Sequence, residues 1–211
     1  MKPAQLQKVW PKIEAQLQIG DILLFHKRKG PISRAIQRET SSYWNHSGLV
    51  FLRKQDLQYT GPLIVEALNL GIEIHQIKKY TDFFEVFDIG VKRFSGLTGS
   101  DQEKLVTTFI LENLDVPYDF SRIFSILLTK EFRNYLLRSK FFFSFTKRLI
   151  HVDSYICSSF VHEAYLQFSK ADRNRIEFDQ TELEKIEKRE MYSPSDLARD
   201  DAFEWVFNPQ K

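Results

Sequence analysis

A single cysteine in 211 residues constrains this chain more than any other feature. Cys157 excludes an intramolecular disulfide framework, and no CxxC or paired Cys/His spacing offers a structural zinc site. The fold must therefore be held by a hydrophobic core, for which 43% hydrophobic and 14% aromatic residues suffice. The length fits one domain, or one domain with a large insertion. A formal net charge of +2 gives no overall basic field for nucleic acid.

The cysteine stands in Asp153-Ser154-Tyr155-Ile156-Cys157-Ser158-Ser159-Phe160-Val161. From it the apolar positions Phe160, Val161, Ala164 and Phe168 form a helical stripe, with Asp153 or Ser154 available as the cap. A thiol in the first turn sits at the positive end of the helix dipole, which favours thiolate. A free cysteine more often simply packs as a small hydrophobe, and reactivity requires a base close by.

Before that helix the pattern is of short strands. Residues 4–18 have helical spacing (Leu6, Val9, Trp10, Ile13, Leu17) despite Pro11. Gly20-Asp21 opens a strand from Ile22 to Phe25, a basic loop follows, and Pro31 suits the first turn of a short helix. Strands are expected at 46–52 and 63–68, the second as hairpin partner of the first, then at 72–77 and at about 84–94 with an interruption near Gly90. Ser100-Asp101-Gln102-Glu103 is a capping box ahead of a helix over 100–114, ended by Pro117. Residues 119–152 hold seven Lys/Arg against two acidic residues, and eight aromatics including Phe141-Phe142-Phe143. Residues 170–190 read as a charged, solvated helix, and 196–207 as a short closing segment.

Five histidines could supply the base. His162 lies about 140° round the helix from Cys157 at 3.6 residues per turn and cannot reach it. His75 shares a strand face with Glu73, opposite Ile72 and Ile74, and is expected to face solvent. His26 belongs to the basic loop and His151 to the basic aromatic stretch. His46 remains, at the mouth of an apolar strand, where a lone histidine is more often a satisfied structural residue. Glu66 shifts that weighting, because a carboxylate within Ile64-Val65-Glu66-Ala67-Leu68 is costly unless paired. An antiparallel hairpin of the two strands places Glu66 near His46, where a carboxylate can fix the imidazole's tautomer and support its charged form. A buried hydrogen-bonded pair without chemistry fits the same pattern.

Four blocks in order, Gly20-Asp21-Ile22-Leu23-Leu24-Phe25, Asn45-His46-Ser47-Gly48-Leu49-Val50, Val65-Glu66-Ala67 and Tyr155-Ile156-Cys157-Ser158, resemble the permuted papain-like amidases of the NlpC superfamily, the YaeF/YiiX-like group. Lecithin:retinol acyltransferase and its phospholipid-acting relatives share the order His, acid, Cys. The resemblance covers about residues 19–168. It implies an α+β, circularly permuted papain-like (NlpC-type) fold, with an antiparallel sheet packed on the nucleophile helix. It implies Cys157 as nucleophile, His46 as base and Glu66 as orienting acid, with no metal and no organic cofactor. Tyr155 and Trp44 are the candidates to line a substrate site, and Asp21 reads as structural. The organisation expected is an N-terminal helix (1–18), a catalytic domain (19–168) with the basic aromatic insert 119–152, and a charged C-terminal helix with closing segment (169–211).

The function expected is cysteine-dependent cleavage of an amide, in a peptide or N-acyl compound, through a thioester. The alternatives are a lipid acyl hydrolase or acyltransferase, with 119–152 lying on an anionic membrane surface, and a non-catalytic binding module. Aromatic residues of 119–152 packing on the core, with a solvated basic face, would account for the insert equally well. The start of the chain lacks the apolar core of a signal peptide, and no apolar run is long enough to cross a bilayer. A cytoplasmic protein, peripheral to a membrane at most, is therefore expected.

Overall fold

The computed structural model describes residues 1–30, 37, 42–53, 61–68, 71–94, 157–171 and 193–211. Six strands form one sheet in the order β4-β3-β2-β1-β5-β6, every neighbouring pair antiparallel. They are β1 (Ile22–Lys27), β2 (His46–Leu52), β3 (Leu63–Leu68), β4 (Gly71–Gln76), β5 (Phe87–Phe94) and β6 (Phe203–Phe207). Among the described residues four helices accompany them: α1 (Pro3–Glu14), α2 (Lys78–Thr81), α3 (Cys157–Ala171) and α4 (Pro194–Arg199). The expected α+β architecture, with its antiparallel sheet on the Cys157 helix, is thus the observed one.

The sheet is buried on both faces, which explains why its central strands read as continuous apolar runs instead of alternating ones. On one face Ile22, Leu24, Leu49, Val65, Ala67 and Ile72 pack with Phe160, Val161, Ala164 and Tyr165 of α3. On the other, Leu23, Phe25, Val50, Ile64, Ile89 and Val91 pack with Leu6, Trp10 and Ile13 of α1 and with Tyr80 and Phe84. Helix α1 starts on Pro3, which lacks only an N–H that would have had no partner there, and it runs through Pro11. Its buried residues Leu6, Trp10 and Ile13 share one stripe. The helices expected over 31–36, 100–114 and 170–190 and the insert 119–152 lie outside the described residues, apart from the end of α3.

Two sequence features acquire physical reasons. Gly20 takes φ 85°, the left-handed region that glycine enters without cost. Next to it, Asp21 is buried and accepts from Arg93 Nε at 2.7 Å, Arg93 Nη2 at 2.8 Å and the Gln18 N–H at 2.8 Å. Tyr165 of α3 donates to the Gly20 carbonyl. The Gly20-Asp21 turn is therefore a clamp joining β1, β5 and α3. Gly90 does not interrupt β5, contrary to the expectation. It clears room for two indoles, since a Cβ there would stand 2.7 Å from the Trp44 ring and 2.9 Å from that of Trp205. The strand also starts later than expected, at Phe87, because α2 is followed by turn residues over 82–86.

The closing segment completes the sheet, with β6 pairing along β5. Ser193 caps α4 in a capping box with Asp196. At the other end of α4, buried Lys92 donates to the carbonyls of Leu197 (3.0 Å), Ala198 (3.0 Å) and Asp200 (2.6 Å). These acceptors supply the partners that a helix C-terminus and a buried ammonium both require.

Candidate active site

The entrance to β2 is fixed before His46 is reached. The side-chain amide of buried Asn45 accepts from the Lys27 N–H at 3.0 Å and donates to the Lys27 carbonyl at 3.1 Å, as a strand neighbour would. The Asn45 N–H donates to the Phe25 carbonyl at 3.0 Å. Just before it, Tyr43 donates to Asp88 and stacks on His26 with ring centroids 3.8 Å apart. His46 then pairs with Phe25 in the ladder, and the Phe25 ring stacks on it at 5.6 Å.

Glu66 reaches His46 across the next strand pair, Oε2 to Nε2 at 2.7 Å. The carboxylate is fully buried, while the imidazole is 18% exposed. Gly48 makes this approach possible. A Cβ at that position would meet the Val65 carbonyl oxygen at 2.9 Å and Glu66 Cβ at 3.1 Å. Both contacts involve atoms fixed by the backbone, so little relaxation is available.

The carboxylate has three further partners. His75 Nε2 lies 2.5 Å from Oε1, and Tyr80 Oη donates its single proton between Oε1 at 2.6 Å and Oε2 at 2.8 Å. Lys79 Nζ adds a longer contact to Oε1 at 3.3 Å. The alternation expected of β4 is present, but His75 does not simply face solvent as its pattern suggests. His75 pairs with Ile64 and Glu73 with Glu66, so that face of β4 continues the face on which Glu66 and Ile64 lie. Tyr80, from α2, is a site residue that the sequence pattern does not mark. A four-residue helix has no periodicity to announce it, and the only available signal is a tyrosine following two lysines just beyond a strand.

Cys157 occupies the first position of α3 and is buried. Its thiol hydrogen-bonds with His46 and receives the backbone N–H groups of Ser47 and Ser158. Burial is the largest influence on it and opposes ionisation. The charge and hydrogen bond of His46, with the two N–H donors, outweigh burial and lower the thiol's pKa. Burial likewise opposes charge on His46, but the Glu66 carboxylate and the Cys157 thiolate push its pKa up to about 10. For Glu66, burial is again the largest influence and raises the pKa. His46 and His75 overcome it and hold the carboxyl well below the usual range. Burial and the neighbouring Glu66 charge push the Tyr80 hydroxyl far up, so it remains a donor.

The structure thus brings Cys157, His46 and Glu66 together and adds His75 and Tyr80 behind the acid. Trp44 sits in the core on the α3 face, edge-on to Tyr43 and against Trp205, with 2% of its surface exposed. Tyr155 lies outside the described residues. Among the described residues no group of three or more His, Cys, Asp or Glu side chains could hold a metal ion, and no helix is long and apolar enough to cross a membrane.

A thiol at a helix start, an imidazole on the adjoining strand and a carboxylate on the next define a papain-like hydrolase arrangement on a permuted chain. The chain belongs to the permuted papain-like amidase enzyme family YaeF/YiiX, C92, whose model matches residues 16–128. That match includes His46 and Glu66 and ends before Cys157. Among solved structures, the chain is similar to the crystal structure of metalloprotein yiiX from Escherichia coli O157:H7, with a TM-score of 0.56 and 22% sequence identity. The similarity covers 90% of this chain and 97% of that one, and at this identity it speaks for the fold alone. No curated protein matches the chain.

Proposed function

We propose that this protein is a cysteine amidase in which Cys157 is the nucleophile, His46 the general base and acid, and Glu66 the orienting carboxylate. The observation that carries the reading is the fully buried Glu66 held 2.7 Å from His46, which in turn hydrogen-bonds with Cys157. Membership of an amidase family favours an amide over an ester substrate.

Glu66 occupies Nε2 of His46, leaving Nδ1 for the thiol. His46 takes the Cys157 proton, and the resulting imidazolium is stabilised by Glu66. The thiolate attacks the amide carbonyl carbon, forming a C–S bond and an oxyanion. The Cys157 backbone N–H at the start of α3 is the natural donor to that oxyanion. The C–N bond then breaks as His46 returns the proton to the departing amine. Water, deprotonated by His46, attacks the thioester; the C–O bond forms, the C–S bond breaks, and the thiolate is regenerated. The substrate class is a small amide, a peptide or an N-acyl compound. The structurally similar yiiX is described as a metalloprotein. The described residues of this chain offer no group of three or more His, Cys, Asp or Glu side chains to hold such an ion.

The test is the pH dependence of Cys157 alkylation by iodoacetamide in the wild type and in His46→Ala. Fast labelling well below pH 7 in the wild type, slowed sharply in the variant, is expected. Labelling that follows an ordinary thiol of pKa about 8.5 in both proteins would sink the reading and leave Cys157 as a packing residue.

A further inference from the structure

We infer that His75 and Tyr80 are positioning residues of this reaction, a donor cradle that keeps the Glu66 carboxylate turned onto His46. The inference rests on the amidase reading and extends it beyond the three reacting side chains.

A carboxylate buried without water has two oxygens and about four acceptor sites to satisfy. His46 fills one of them, on Oε2. If it were the only partner, Oε1 would be a desolvated anionic oxygen without a donor, and protonation or rotation of the carboxyl would relieve it. His75 at 2.5 Å and Tyr80 at 2.6 Å supply Oε1, and Tyr80 at 2.8 Å also spans to Oε2. The two donors come from different elements, β4 and α2, so the carboxyl cannot swing without breaking both.

Their own placement is fixed. Tyr80 is 5% exposed and stacks on Phe25 with centroids 4.1 Å apart, the same ring that stacks on His46. His75 is locked in the β4 ladder opposite Ile64. Lys79 lies 3.4 Å from His75 Nε2, and Glu73 shares the β4 face. With Glu66, these are the charged groups beside His75 among the described residues. Lys79 is 45% exposed, so its contribution is largely screened by water. The cradle is therefore made of the imidazole and the phenol.

The consequence falls on the acid side of the thiol's reactivity. With the cradle removed, burial of Glu66 is opposed by His46 and by the longer, half-exposed contact of Lys79. The carboxyl then takes up a proton or turns away more readily, and His46 loses the charge that sustains the thiolate. The experiment is iodoacetamide labelling of the full chain from about pH 4 to 8, comparing wild type, Tyr80→Phe, His75→Ala, the double variant and His75→Gln. Tyr80→Phe keeps the ring that packs on Phe25, so its fold is preserved. The double variant is expected to label about tenfold or more slowly near pH 5, its acid limb displaced upward by about one unit. Tyr80→Phe and His75→Ala should each give part of that shift. His75→Gln, which retains a neutral donor, should recover most of the loss seen in His75→Ala.

Cradle variants that keep the wild-type acid limb, or move it downward, would overturn the inference while leaving the amidase reading intact. So would a fall in melting temperature with an unmoved limb, the mark of a purely structural role. A wild-type protein without His46-dependent labelling below pH 7 would overturn both.

Discussion

Asp21 and Glu66 are both buried carboxylates with several hydrogen bonds, yet their environments act in opposite directions. Burial pushes the Asp21 carboxyl up, and the Arg93 pair with the Gln18 N–H only partly offsets it. Burial also pushes Glu66 up, but its two imidazole neighbours more than reverse the effect. The partners account for the difference. Arg93 keeps its proton at any working pH and its side chain is 25% exposed, so part of its charge is spent on solvent. Asp21 is thereby held in place by a partner that has no proton to exchange. His46 can gain and lose a proton beside a thiol, so in the proposed mechanism Glu66 would adjust the energy of the group that reacts. A buried acid held by arginine fastens backbone; one held by histidine tunes chemistry.

The comparison breaks first at activity. Glu66→Gln is expected to lower kcat/KM for a responsive amide by about a hundredfold or more, the scale of one general acid–base contribution. Asp21→Asn should leave kcat/KM within about threefold. Steady-state assays of the two variants decide it, and equal losses would erase the distinction. Removing one partner of a buried ion pair costs about 3–5 kcal/mol, and the partial exposure of Arg93 reduces this to about 1–3 kcal/mol for Asp21→Ala. Urea denaturation would measure it, and a loss under about 0.5 kcal/mol would mean that Asp21 clamps nothing.

The smallest effect is the sharpest in sign. Glu66 titrates below its ordinary 4.5 in the folded protein, so the unfolded chain binds more protons near that pH. Its stabilising contribution is full above 4.5 and declines as pH falls. Asp21 titrates above its ordinary 3.8, so its contribution declines as pH rises through that region. His46, raised from 6.5 to about 10, contributes fully below 6.5 and loses its contribution as pH climbs toward 10, while the lowered Cys157 thiol works in the opposite direction, so the pair as a whole adds little slope near neutral pH. Stability followed against pH should therefore show a shallower acid fall in Glu66→Gln and a steeper one in Asp21→Asn. Each slope is bounded by about 1.4 kcal/mol per pH unit per group.

The residues that local pattern can reveal are legible in the sequence. Strands β2 and β3 run over the residues their apolar runs mark, because each run is bounded by polar residues and buried on both faces. The cost of a carboxylate inside such a run singles out Glu66, and the hairpin supplies its neighbour. What local pattern cannot reveal is which surface β4 meets. The alternation of Glu73 and His75 is visible in the chain, but only the sheet order shows that this face borders Glu66 and lies near α2. Tyr80 is hidden for the same reason, since its role depends on α2 meeting β3. The expected break at Gly90 fails differently. A glycine in a strand signals a kink or a close approach, and only the indoles of Trp44 and Trp205 decide between the two.

The bare position at residue 48 gives a rule for sorting sequences. Because backbone-fixed atoms occupy the space a side chain would need, the glycine two places after the histidine works as a spelling check on the acid. A chain that keeps counterparts of His46 and Cys157 but writes a bulkier residue there cannot seat its carboxylate as this one does. Such a chain should be filed with inactive copies of the fold before any assay is attempted. On the proposed mechanism, one that changes its cradle but keeps the glycine would belong with enzymes of altered pH range.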